Sequence, residues 1–378
     1  MPLINRVNKG NLVGTVVSVD ALTQTVHFCS SNNEESQLIT SLVSYKAPAF
    51  DKDFFAGLGN IVKQEIEQNA NMDLQKVSLV LPDQLFLIDT VTVPVIHRKA
   101  MQQSLSIAVE SLYQNAADLT LMTYAVQQNK QAATFGLVGI RNEVLGFAND
   151  AFDDAGAPIN GVTFASNAMV NGAMALNAKL RNETFLLLDI KRDCARFAFV
   201  VRGCTMGYYD LPFGYGVLSD SHVFPEDTLF DHRPAEQLVR VSKAKAQAKE
   251  LSEKEMAELE LSGEQEARQA RVLPKFMQRP TPQTAQQYLY ENFRVFLKWT
   301  MELINNNNDI TSLAKIDTVY INMPDEYRSL IDVVNAKHEG RGLTFVPLLP
   351  EGSEVTFAQN LELYGGFFMG RYNEANTF

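Results

Sequence analysis

The chain has 378 residues, 46% of them apolar, enough to bury a sizeable core in two or three domain-sized units without covalent staples. Its formal net charge of -11 repels nucleic-acid phosphates and anionic lipid headgroups, and no basic patch of useful size offsets it, so neither nucleic acid nor bare membrane is an expected partner. The three cysteines, Cys29, Cys194 and Cys204, are an odd number without C-x-x-C spacing, which implies neither a disulfide framework nor a zinc site and points to a reducing compartment.

Met1 to Arg6 lacks the basic flank and apolar run of a signal peptide, and no later stretch gives the roughly 18 apolar residues of a membrane span. A soluble, cytoplasmic protein without direct membrane insertion is expected. The first clear element is the β-prone run Val16 to Asp20, followed by the turn Ala21 to Gln24 and a second run, Thr25 to Cys29. The same pattern returns at mid-chain, where Phe185 to Asp189 leads through Ile190 to Asp193 into Ala195 to Val201. Two unrelated hairpins would explain this pattern as well as a duplicated one would.

Each hairpin leads into an α/β succession. After the first comes a helix with apolar positions at Phe54, Phe55, Leu58, Ile61, Val62 and Ile66, then the strand Val77 to Leu81, stopped by Pro82. A small α+β insert is predicted next: the strand Leu85 to Val93, the helix His97 to Tyr113, the strands Leu121 to Val126 and Thr134 to Ile140, and the helix Asn142 to Ala155 ended by Gly156. A connecting run, Ile159 to Thr163, leads into the small-residue helix Ala165 to Leu180.

In the second half, Gly203 and Gly207 are read as bracketing a hairpin turn before Tyr208 to Leu211. Ala235 to Arg271, rich in Ala, Glu, Lys, Gln and Leu, reads as solvated helix. A proline-punctuated linker and the helix Ala285 to Ile304 come next, then the strand Ile316 to Met323, the helix Asp325 to His338, the strand Leu343 to Pro347 and a closing helix, Thr356 to Met369.

Walker A, G-x-G-x-x-G, H-E-x-x-H and catalytic-triad signatures are all absent. His222, Glu226, Asp227, Asp231 and His232 cluster in a Pro-punctuated segment, but no helical i,i+4 pair fixes them, so they read as a surface loop and no metal site is expected. His27 alternates with apolar residues on a strand and reads as a satisfied core histidine.

The ordered set of these pieces resembles the actin-like ATPase superfamily, and within it the PilM proteins of type IV pilus assembly and their relative FtsA. The resemblance runs through Val77 to Pro82 with Val91 to Pro94, Ala108 to Tyr113, Leu121 to Val126, Val138 to Val144, Ala165 to Ala168, Tyr209 to Gly214 and Leu363 to Phe368. It implies two α/β domains: 1–180 with an α+β insert at about 83–160, and 181–378 with a helical insertion at about 219–300. It also implies a nucleotide cleft between the two aspartate hairpins, at Asp20, Thr23, Gln24, Thr25, Asp189, Lys191 and Arg192.

The chain departs from that pattern where phosphate would bind. Leu22 and Lys191 stand at the glycine positions of the two hairpins, Cys194 at a threonine position, and Met323-Pro324 at the glycine pair of the nucleoside turn. Phosphate cradles aim backbone N–H groups at oxygens in conformations that glycine supplies and that a Cβ resists, and proline removes a donor. The resemblance with these departures implies a pseudo-ATPase that is not an enzyme. No cofactor is expected, and ATP with Mg²⁺ is disfavoured. Lys191 and Arg192 leave two readings open: contact with a phosphate, or pairing of Lys191 with Asp20 or Asp189 so that it fills the site.

The function implied is a scaffold of a pilus or related secretion assembly. Such a scaffold binds the cytoplasmic tail of a membrane-anchored partner at the inner face of the membrane, and the resemblance also allows a homo-oligomer. The tail is placed between the first domain's body and its insert, with Tyr113 and Tyr124 as aromatic groups there, although core packing explains both. The competing implication is an ATP-controlled switch of the PilM or FtsA type. The amphipathic membrane helix of FtsA is not matched by Arg371 to Phe378, which is short and polar.

Overall fold

The computed structural model describes residues 14–21, 23–31, 38–45, 50–113, 116–128, 130–192, 194–211, 215, 316–338, 344–349 and 360–369. The predicted helices at 235–271 and 285–304, the insertion at 219–300 and the His222 cluster lie outside these residues.

Two five-stranded sheets share one plan. In the first, β1 (Gly14–Asp20), β2 (Thr25–Ser31) and β3 (Leu38–Ser44) form an antiparallel meander, and β4 (Val77–Leu81) and β8 (Ile159–Phe164) add parallel strands on the other side of β1, giving the order β3-β2-β1-β4-β8. In the second, β9 (Thr184–Ile190), β10 (Ala195–Val201) and β11 (Cys204–Leu211) form the meander, and β12 (Thr318–Asn322) and β13 (Thr344–Pro347) are the parallel strands, in the order β11-β10-β9-β12-β13. The hairpin opening each half is therefore the same element of one duplicated arrangement. β1 is buried along its whole length, as a central strand covered on both faces must be, which explains its unbroken apolar run.

The outer face of the first sheet is covered by α1 (Lys52–Gln68) and α3 (Asn142–Asp154). Asp51 caps α1, its carboxylate accepting from the Phe54 N–H at 3.0 Å, and the helix turns Phe54, Phe55, Leu58 and Val62 onto Val17, Val19, Leu79 and Leu81. Between the two sheets lie α4 (Ala165–Leu176) and α6 (Leu361–Gly366), while α5 (Ser329–His338) packs on β13. α4 buries Met169, Val170 and Ala173 against Phe185, Leu187 and Ala198 of the second sheet. α6 lays Leu363 and Tyr364 near Val16 and Val80 of the first, so a helix from the second half completes the core under the first sheet. The two helices touch through backbone: a Cβ on Gly365 would collide with the Ala168 carbonyl, and one on Gly172 with the Leu361 carbonyl.

The insert between β4 and β8 is a three-stranded antiparallel sheet, β5 (Phe86–Pro94), β7 (Ala132–Arg141) and β6 (Leu119–Gln128), in the order β5-β7-β6. It is backed by α2 (Arg98–Leu112) through Met101 and Val109. The span 83–160 includes α3, yet Val144, Ala148 and Phe152 of α3 pack with Phe55 and Leu58 in the main core. The separable insert sheet therefore runs from Phe86 to Arg141. Tyr124, in the insert, donates its buried hydroxyl to the Thr205 carbonyl of β11 at 2.6 Å, tying the insert to the second sheet. The β10–β11 turn is Arg202-Gly203, both at positive φ (50° and 77°), and Gly207 falls inside β11, so it does not bracket the turn as expected. Among the described residues no helix is long and apolar enough to cross a membrane.

Candidate functional site

Asp20 pairs with Thr25 at the close of the first hairpin, and Asp189 pairs with Arg196 one step before the closing Ile190–Ala195 pair of the second, so each central strand carries an aspartate at its end or next to it. Because the sheets face one another across α4 and α6, both aspartates come to one cleft of about 390 Å³. Of the seven predicted site residues, Asp20, Thr23, Thr25, Asp189, Lys191 and Arg192 line it. Gln24 does not: it takes the positive φ of the first turn, 53°, and its carbonyl accepts from the Tyr45 N–H. Met323 and Pro324, at the expected nucleoside turn, form part of the wall. The cavity is within the roughly 300–1,000 Å³ range of small-molecule pockets.

The floor is a web of buried charge. The Lys191 ammonium lies 3.0 Å from Glu362 Oε1 and 3.7 Å from Asp20 Oδ2. Glu362 also accepts from the Arg196 guanidinium at 2.5 Å, and Arg196 reaches Asp210 at 2.6 Å and Asp83 at 3.4 Å. Asp83 accepts in turn from the Ser166 N–H (2.8 Å) and hydroxyl (2.9 Å) in the first turn of α4. The web thus joins the start of the insert, the central helix, both hairpins and the closing helix. Burial disfavours the Lys191 ammonium, but Glu362, Asp20 and Asp189 outweigh it and raise its pKa. Arg196 is likewise raised, its acidic partners overcoming burial.

Acids outnumber bases here, and two of them respond. Burial pushes Asp189 up to about 6 and Asp83 up to about 7, each against the opposing pull of its cation. Asp189 Oδ1 accepts from Asn322 at 2.7 Å, while Oδ2 is buried with no hydrogen-bond partner among the described residues. A second chain of contacts lines the wall: Thr23 and Thr25 hydroxyls at 2.6 Å, Thr25 to His27 Nε2 at 2.8 Å, and His27 Nδ1 to Asn360 Nδ2 at 3.3 Å. His27 is therefore satisfied, as expected, but it lines the cleft and is not a core residue.

The Lys191 ammonium lies beside the Asp20 carboxylate, where its charge repels a metal cation approaching that group. Among the described residues no group of three or more His, Cys, Asp or Glu side chains converges to hold a metal. Glu362, Arg196, Asp83 and Asn360 went unassigned in the sequence. The signal for the first two was present, as lone charges within the apolar runs Leu361 to Tyr364 and Ala195 to Val201.

No protein-family model matches the chain, and no curated protein sequence matches it. Among solved structures, the PilM–PilN type IV pilus biogenesis complex superposes with a TM-score of 0.53 and 13% identity, covering 94% of this chain and 98% of that one. The chain has the actin-like ATPase fold. A Bacteroides thetaiotaomicron protein described as having that fold matches at 10% identity with a TM-score of 0.38, covering 96% of this chain and 98% of its own. The cytoplasmic domain of EpsL, an inner-membrane component of the Vibrio cholerae type II secretion system, matches at 12% identity and a TM-score of 0.35, over 56% of this chain and 77% of that one.

Proposed function

We propose that the chain is a scaffold of a type IV pilus or related secretion assembly, recruited to the inner face of the membrane by the cytoplasmic tail of a membrane-anchored partner, and that it is a pseudo-ATPase. The observation that carries this reading is the Lys191 ammonium between Asp20 and Glu362, which occupies with protein charge the place a metal–phosphate group would need. The likeness in fold to a PilM–PilN complex supplies the kind of partner. Such a tail docks as an extended segment, through backbone hydrogen bonds and side-chain pockets, between the body of the first sheet and the insert.

Calorimetry with ATP and Mg²⁺ tests the first half of the proposal: no binding is expected for the unmodified protein, and micromolar affinity overturns it. Measurable hydrolysis would favour the nucleotide switch in its place. Affinity capture from detergent-solubilised membranes tests the second half. Recovery of a single-pass pilus or secretion protein is expected, and recovery of no membrane-anchored protein refutes the scaffold.

A further inference from the structure

The chain Asn360, His27, Thr25, Thr23 has a direction, and the direction is forced from one end. Asn360 precedes α6, and its Oδ1 accepts from the Leu363 N–H at 3.3 Å as the cap of that helix. With the amide oxygen so engaged, the group turned toward His27 is Nδ2, which only donates, so His27 Nδ1 accepts and carries no proton. A neutral imidazole then holds its proton on Nε2 and donates it to Thr25 Oγ1. The Thr25 hydroxyl is buried, and the acceptor left to its own proton is Thr23 Oγ1 at 2.6 Å. Thr23 is exposed on the cleft and presents the last O–H of the series to it.

We infer that the Asn360 cap fixes His27 as its Nε2–H tautomer and thereby latches the closing helix to the hydroxyl pair of the cleft, a latch that protonation of His27 opens. An imidazolium carries a proton on Nδ1, which would point at the Asn360 NH₂ group: two donors face one another, and the Asn360 amide must turn, either away from His27 or to offer it Oδ1. Either movement pulls Oδ1 from the Leu363 N–H, and the turn between them, Leu361-Glu362, carries the carboxylate that holds Lys191 and Arg196.

The surroundings keep the latch closed at neutral pH. Burial and the Lys191 charge lower the His27 pKa, and Glu362 and Asp20 offset this only in part. Its cross-strand neighbours, Ser18 on β1 and Leu42 on β3, bring no charge. The device concerns the cleft and α6 alone and holds whichever partner the protein binds.

The test is ¹⁵N NMR of the imidazoles in the full-length protein across pH. At pH 7.5 His27 is expected to show a pyridine-like Nδ1 and a pyrrole-like Nε2, and the Leu363 amide is expected to titrate with the His27 midpoint. A protonated Nδ1 in the neutral ring, or a Leu363 amide indifferent to that titration, overturns the inference. Asn360→Asp keeps a capping oxygen and replaces the donor by a carboxylate, so it should raise the His27 midpoint by about one pH unit or more. An unchanged midpoint in a folded Asn360→Asp variant overturns it as well, and the wild-type readouts decide the matter should that variant fail to fold.

Discussion

Replacing Lys191 by methionine keeps the length of the side chain and removes the charge that faces Glu362 at 3.0 Å and Asp20 at 3.7 Å. Both carboxylates belong to side chains only 2% exposed, so each loses a cation it cannot replace with bulk water. Breaking a fully buried pair from one side costs about 3–5 kcal/mol. Two features reduce this figure: the Lys191 side chain is 21% exposed, and Glu362 keeps Arg196. We therefore expect a loss of about 2–3 kcal/mol in urea unfolding at pH 7.5. Glu362→Gln alone should cost about 2 kcal/mol, because Arg196 retains Asp210 and Asp83 while Lys191 retains Asp20. The double variant leaves neither partner of the pair uncompensated, so it should lose about 1–2 kcal/mol less than the sum of the singles. Additivity of the two within about 0.5 kcal/mol would refute the pairing, and a cost for Lys191→Met below about 0.5 kcal/mol would show a solvated lysine.

Gly365→Ala forces a Cβ into the Ala168 carbonyl and the Gly172 backbone, so a loss of about 3 kcal/mol or more is expected in thermal or urea unfolding, and a neutral effect would show that α4 and α6 do not touch there. Tyr124→Phe removes the hydroxyl that reaches the Thr205 carbonyl; it should cost about 1 kcal/mol and raise protease sensitivity within the insert, whereas unchanged sensitivity would contradict the tie to β11. The pH dependence follows from Asp189 and Asp83, whose pKa values rise from 3.8 to about 6 and about 7. Each binds its proton more tightly when folded, so their stabilisation is full below 3.8 and is lost as pH rises through 6 to 7. His27, lowered from 6.5, acts oppositely and contributes only above its folded pKa. With two acids against one imidazole, the urea midpoint should be higher at pH 5 than at pH 8, and the reverse order would refute the buried placement of the acids.

The two aspartate hairpins were legible because each central strand is buried on both faces and carries an acid before a polar turn, a pattern written in consecutive residues. That they belong to one duplicated plan was left open by that pattern and shows in the matching strand orders. β3 was not legible, since Leu38 to Ser44 is an edge strand whose Leu42 stays exposed, and partnership on one side leaves little periodicity to read. β8 was read as a connecting run because Asn160-Gly161 interrupts it. In the structure the Asn160 side chain accepts from the Val77 N–H at 2.8 Å, where the register with β4 shifts. The cleft divides in the same way. Asp20, Asp189 and Lys191 lie in two short hairpins and were assigned to the cleft through the family resemblance, and the pairing of Lys191 with Asp20 was one of the two readings the sequence left open. Glu362, its nearer partner, lies 171 residues further along the chain, a separation that no local pattern bridges.

That distance explains why the glycines of α6 belong to the chemistry of the cleft. Glu362 and Asn360 reach the floor and the wall only if α6 sits close beside α4, and that approach exists because Gly172 and Gly365 carry no side chain where the helices cross. Gly366 does the same against Val16 of β1, next to the strand that ends in Asp20. A single packing interface therefore sets the Lys191–Glu362 contact, the Arg196–Glu362 contact and the His27–Asn360 contact together. A substitution that pushes α6 outward should weaken all three in the same step, although it touches none of the charged groups.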